Sequence, residues 1–305
     1  MTNRFTHFKI IQICSNPLII ISLNIKLTAM KQILVAFDFS KNAIKTLEYA
    51  LMVANKTGAD LSLVWVDSTS TPDNMLNIDH ELRIETKKLF EEILPLYEPK
   101  LNKGKIDVIL RKGKVYTEIT NTAKMLEADI VFAGTHGVSG FEQFWIGSNA
   151  YRIVTNSPCP VMTIRGDFDL KGGISKILIP LDSTSETRQK LPFATMLAGL
   201  FKAEIHLLLL YNTSIRVIRN RMKTYADEAM NYLKSNDISY VFKEIEAENI
   251  VSNILQYAND EDVDLISIMT EQGSTSGGMF LGPYAQQIIN NSLVPVLSLQ
   301  SKRND

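Results

Sequence analysis

ILVAFD (33–38) recurs as ILIPLD (177–182), 144 positions further along the chain. The same gap-free offset lays YALMVA (49–54) on FATMLA (193–198) and LSLVWVD (61–67) on IHLLLLY (205–211). Towards the ends of the repeat the offset becomes 135, and SPCPV (157–161) meets SLVPV (292–296). A repeat of this length means two copies of one domain, not a solenoid. Within the first copy the apolar runs are QILVAF, LSLVWV, IDVIL, DIVFAG and PVMTI. They are apolar at consecutive positions, as strands buried on both faces are, which predicts a parallel sheet under helices. The segments between them carry helical spacing, with Ile44, Leu47, Leu51 and Ala54 as one stripe and Ile119, Ala123 and Leu126 as another.

The expected class is therefore α/β: two tandem doubly wound domains, each with a five-stranded parallel sheet, for which the order 3-2-1-4-5 is assumed. The boundaries are 30–165 for the first domain and 174–301 for the second, joined by the charged, glycine-rich linker GDFDLKGG (166–173). Residues 1–29 have no counterpart in the repeat. They are rich in Ile and Asn, broken at Pro17, and too short and polar to span a bilayer. Three readings of this leader stay open: a targeting segment, a disordered extension, or a translated stretch upstream of a start at Met30.

At 305 residues the chain has room for two cores. With 21% charged residues and a formal net charge of −1, nothing electrostatic points to nucleic acid or an anionic membrane. Two cysteines, Cys14 and Cys159, cannot make a disulfide framework, and this usage fits a reducing cytoplasm.

Open parallel sheets bind ligands outside the carboxyl ends of their strands, where strand order reverses. In a 3-2-1-4-5 sheet that point lies between strands 1 and 4. Strand 1 is read as ending at Phe37-Asp38, and strand 4 runs into GTHGVSGFEQFWIGS (134–148). This loop is neither a Walker A loop nor a dinucleotide fingerprint. Its glycines let backbone N–H groups converge on an anion, and Ser148 stands near the start of a helix, where phosphate is favoured. An ordinary N-cap role for Ser148, and a turn or N-cap role for Asp38, are the plain alternatives. Asp38 makes a poor metal ligand, having no second carboxylate or histidine at motif spacing. His136 lacks an orienting partner for base catalysis, so no catalytic residue and no metal site is assigned.

The pattern Gly134-x-x-Gly137, nine residues, Gly147-Ser148, with Asp38 closing the first strand, resembles the universal stress protein family over residues 30–300. That resemblance implies an adenine nucleotide α-hydrolase-like fold and binding of ATP or a related adenine nucleotide, with Mg as its companion ion. By position it implies Ala36, Asp38 and Val66 on the adenine and ribose side. Gly134, Thr135, His136, Gly137, Gly147, Ser148 and Asn149 would face the phosphates. It also implies that VMTIR (161–165) and VLSLQ (296–300) pair antiparallel as an internal pseudo-dimer, which could associate further into a homodimer. The family often has Pro where this chain has Ala36. In the second copy Met269, Gln272 and Pro283 replace Gly134, Gly137 and Ser148, and are expected to fill or disarm the site. The expected role is a nucleotide-dependent stress sensor or regulator with protein partners the sequence does not name. A ligand-free scaffold and a slow ATP-hydrolysing enzyme are the alternatives.

Overall fold

Apolar runs become strands and amphipathic stretches become helices, alternating along the chain. A computed structural model describes residues 30–68, 76–135, 146–165, 168, 172–270 and 281–300. The first copy comprises β1 (Gln32–Ala36), α1 (Lys41–Thr57), β2 (Asp60–Asp67), α2 (Leu76–Tyr97), β3 (Ile106–Lys112), α3 (Val115–Met125), β4 (Ile130–Gly134), α4 (Ser148–Asn156) and β5 (Val161–Ile164). The second comprises β6 (Lys176–Leu181), a 3-10 turn at Ser185–Arg188, α5 (Leu191–Phe201), β7 (Glu204–Tyr211), α6 (Arg216–Ser235), β8 (Tyr240–Glu246), α7 (Ile250–Asp260), β9 (Leu265–Thr270), α8 (Pro283–Asn291) and β10 (Val296–Gln300).

Each copy has the expected 3-2-1-4-5 order, but the two sheets are one. The strands run β3-β2-β1-β4-β5-β10-β9-β6-β7-β8. All pairs are parallel except β5 with β10, whose register is Val296↔Thr163, Leu297↔Met162 and Ser298↔Val161. At the 135-residue offset Met162 faces its own counterpart, Leu297, and its neighbours exchange partners. That is the self-complementary pattern of a two-fold contact. It leaves neither terminal strand as an open edge between the copies.

Alternation along the strands divides the core between the two faces. Ile33 and Val35 of β1 and Ile130 and Phe132 of β4 pack with α1, α2, α5 and α6. Leu34, Val131 and Ala133 pack with α3, α4, α7 and α8. Ile33, Leu34 and Val35 are each fully buried, which explains the unbroken apolar run. Each contributes about 1.5–3 kcal/mol relative to an exposed side chain. At the amino edge of the sheet Asp129 Oδ2 accepts the Lys31 and Gln32 N–H groups at 2.6 and 3.0 Å. Asp264 repeats the arrangement on Ser175 and Lys176 at 2.7 and 2.9 Å. These tethers bind strands 1 and 4 of each copy together at the end opposite the loops.

Candidate functional site

β1 ends at Ala36, two residues earlier than the sequence suggests, although the Phe37 N–H still reaches the Val64 carbonyl at 2.9 Å. The chain then turns sharply. Asp38 Oδ1 accepts the Ser40 N–H at 3.0 Å, and Phe39 between them has φ +62°, a left-handed conformation uncommon for a large side chain. Packing holds it there, with the Phe39 ring 5.1 Å from Phe37 and 4.7 Å from Phe90. Ser40, not Asp38, caps α1 by accepting the Ala43 N–H at 3.1 Å. The second copy keeps the aspartate contact without a left-handed residue, Asp182 Oδ1 accepting from the Thr184 N–H at 2.7 Å and its hydroxyl at 2.6 Å. Each aspartate thus shapes the turn beside the switch point and remains half-exposed there.

Across that point β4 delivers Gly134 and the buried Thr135. The Gly147 N–H returns to the Thr135 carbonyl at 2.8 Å, so the two ends of the glycine loop meet. A Cβ on Gly147 would lie 3.2 Å from that carbonyl oxygen, a tight approach that favours glycine. Gly147 occupies the N-cap position of α4, and no side chain caps the helix. Ser148 is the first helical residue and not the cap. It and Asn149 are exposed, at an end whose first N–H groups lack intrahelical partners and whose dipole favours an anion. His136 and Gly137 lie outside the described residues. Ala36 and Val66 are half-buried at the ends of β1 and β2.

The second copy shows what such an edge encloses. A cavity of about 420 Å³ opens there, lined among others by Pro180, Asp182, Leu210, Met269, Thr270 and Tyr284. By the repeat these are the counterparts of Ala36, Asp38, Val66, Gly134, Thr135 and Asn149. The expectation that Met269 fills this site is not met. Met269 forms part of the wall and packs against the core beneath one face of the sheet, leaving the space open. Gln272 lies outside the described residues, and Pro283 opens α8 without an N–H to offer.

Lys190, also in the wall, escaped the sequence reading. It is 2% exposed and donates from Nζ to Thr187 Oγ1 at 3.2 Å. Burial pushes its pKa down to about 8, opposed by the charge of Asp182. The repeat aligns Lys190 with Thr46, a position of α1 that only the structure shows to be fully buried. No helix among the described residues is long and apolar enough to cross a membrane.

The profile of the universal stress protein family matches residues 30–165 and again residues 173–299. The universal stress protein YxiE of Bacillus subtilis is 30% identical over 145 residues, which cover 44% of this chain and 98% of that protein. A Staphylococcus epidermidis universal stress protein is 32% identical over 139 residues, covering 44% and 84%. In fold, the crystal structure of a universal stress protein from Archaeoglobus fulgidus aligns with a TM-score of 0.71 over 89% of this chain and 98% of that one, at 19% identity.

Proposed function

Because the chain belongs to the universal stress protein family, carrying two consecutive copies of its domain, we propose that the first copy binds ATP or a related adenine nucleotide. The observation that supports this best is the closure of the loop. The Gly147–Thr135 bond sets an uncapped helix start beside the end of β4, with a glycine where any side chain would press on backbone. On this reading Gly134, Thr135, His136, Gly137, Gly147, Ser148 and Asn149 hold the phosphates through backbone amides and short polar groups. Ala36 and Val66 flank the base, and Asp38 accepts from a ribose hydroxyl or an exocyclic amine. Mg would accompany the phosphates as their counter-ion.

The role that goes with such a site is a reporter of nucleotide level, a slow ATP-hydrolysing enzyme being the alternative. In the cytoplasm such a protein would pass its occupancy to a protein partner.

Calorimetry of ATP against the full chain tests the assignment. One site per chain is expected. Gly147→Val should abolish it, and the same change at Gly282 should leave it. Asp38→Asn keeps an acceptor for the Ser40 N–H, so it spares the turn while weakening the nucleotide contact by about 1–3 kcal/mol. Full ATP binding by the Gly147 variant would end the proposal.

A further inference from the structure

The cavity of the second copy has chemistry that the first copy's sequence does not repeat. Its volume of about 420 Å³ lies in the range of small-molecule sites. Leu210, Met222, Ile254, Ile268 and Ile288 make much of the wall apolar. Set into this wall is the Lys190 ammonium, with three donors and, among the described residues, one hydrogen-bond partner, the Thr187 hydroxyl. A lysine kept for structure alone is expected to end in a close ion pair. Among the described residues no carboxylate lies within ion-pair distance of Lys190, and Asp182, whose Oδ1 accepts from Thr184, acts on it only as a nearby charge. A buried ammonium so placed destabilises the empty protein and attracts an anion that can complete it.

The charge and shape of that anion can be read from the rest of the wall. The first turn of α8, through Tyr284 and Ala285, faces the cavity with no side-chain cap, so its dipole favours negative charge. Among the described lining residues one is a cation, while Asp182 and Glu186 stand on the same rim and oppose further negative charge. Pro283 removes a donor that a polyphosphate would need. A single negative charge on an apolar body matches this arrangement, and a nucleoside triphosphate does not.

We propose that the second copy binds a small monocarboxylate with an apolar body, its carboxylate paired with Lys190 and its body lying against Leu210, Ile254, Ile268 and Ile288. The lowered pKa of Lys190 fits a cation held in a site built for a partner that comes from outside. Paired with a carboxylate, the ammonium gains a direct ion pair beyond the nearby charge of Asp182. This site is separate from the nucleotide reading of the first copy and stands or falls independently of it.

Titration calorimetry of the full chain at neutral pH with octanoate, octanol and octylamine decides the matter. Octanoate should bind with one site per chain, about tenfold or more tighter than octanol, which has the same body without the charge. Octylamine should bind more weakly still. Lys190→Met should lose octanoate binding while any ATP binding by the first copy is unchanged. Equal affinity for octanol, no octanoate binding, or octanoate binding retained in the variant would overturn the proposal. Were the variant unable to fold, the comparison of octanoate with octanol on the unaltered chain would still decide. Two ATP sites per chain would put a nucleotide in this cavity and overturn it as well. Failure of ATP to bind at all would remove the first reading and leave this one intact.

Discussion

Lys190 holds an ammonium in the core of the second copy, where the first copy places the hydroxyl of Thr46. The folded-state pKa, pushed down to about 8 by burial, lies below the ordinary lysine value near 10.5. Between these values the unfolded chain carries a proton that the folded chain has released, so stability rises with pH across that window. Below about pH 8 both states are protonated and the folded one bears the full penalty, roughly 3 kcal/mol. Lys190→Met should therefore raise stability at pH 7 by a few kcal/mol, with the advantage shrinking towards pH 10.5. Urea midpoints of both proteins across pH 7–10.5 give the difference. The Tyr211 hydroxyl, pushed up to about 12, pulls the other way at high pH, but it is common to both proteins and cancels. Parallel pH profiles would refute this. A residue that weakens its own fold in the wall of a cavity is easier to explain by binding than by packing.

At the level of elements, α4 and α8 tie each copy's loop to the other copy. The Ile146 N–H, one residue before Gly147, donates to Asn290 Oδ1 of α8 at 2.7 Å in a buried site. Its counterpart, the Leu281 N–H, reaches the Tyr151 hydroxyl of α4 at 3.3 Å. Gln300 donates to the Thr155 carbonyl at 3.0 Å, and Arg165, its counterpart, reaches the Asn290 carbonyl at 3.5 Å. Asn290→Ala leaves a buried N–H without its acceptor, at a cost of about 1–3 kcal/mol. The loss falls beside the proposed phosphate cradle, so ATP binding in the first copy should weaken through a residue of the second. Tyr151→Phe should disturb the second copy and leave ATP affinity unchanged. Thermal melts together with ATP calorimetry on both variants separate the two effects. Equal ATP affinities in Asn290→Ala and the unaltered chain would show that the tether does not support the cradle.

Over the whole molecule, a ten-stranded sheet depends on one antiparallel seam. β5 alone, VMTI at 161–164, is apolar and buried by β10 on one side and β4 on the other. A chain of residues 30–165 would expose that edge, and an exposed apolar edge seeks another strand. Since Met162 already faces its own counterpart, β5 can pair with β5 in the same register. The fragment should therefore form a dimer by light scattering. A proline at Met162, which removes an N–H and obstructs the seam, should reduce that dimer to monomer or aggregate. A well-behaved monomer of the unaltered fragment would count against the seam as the organising contact.

The sequence by itself determined the duplication and the five strands alternating with helices in each copy. Each follows from local signals: repeat offsets, runs apolar at consecutive positions, and helical stripes between them. Gly147 was legible as part of the spaced glycine motif, while its close approach to the Thr135 carbonyl is a tertiary contact. Tertiary structure decided the rest. That Ser40 caps α1 while Asp38 only turns the chain depends on the φ of Phe39, which Phe37 and Phe90 hold in place. Asn290 reads as an ordinary helix residue until the seam carries it across to Ile146, 144 positions away. The open cavity beside Met269 depends on how a flexible side chain packs under the sheet, which no spacing encodes. A pattern along the chain specifies the contacts an element makes with its neighbours in sequence. Which distant groups share a buried site is specified only when the β5–β10 seam closes.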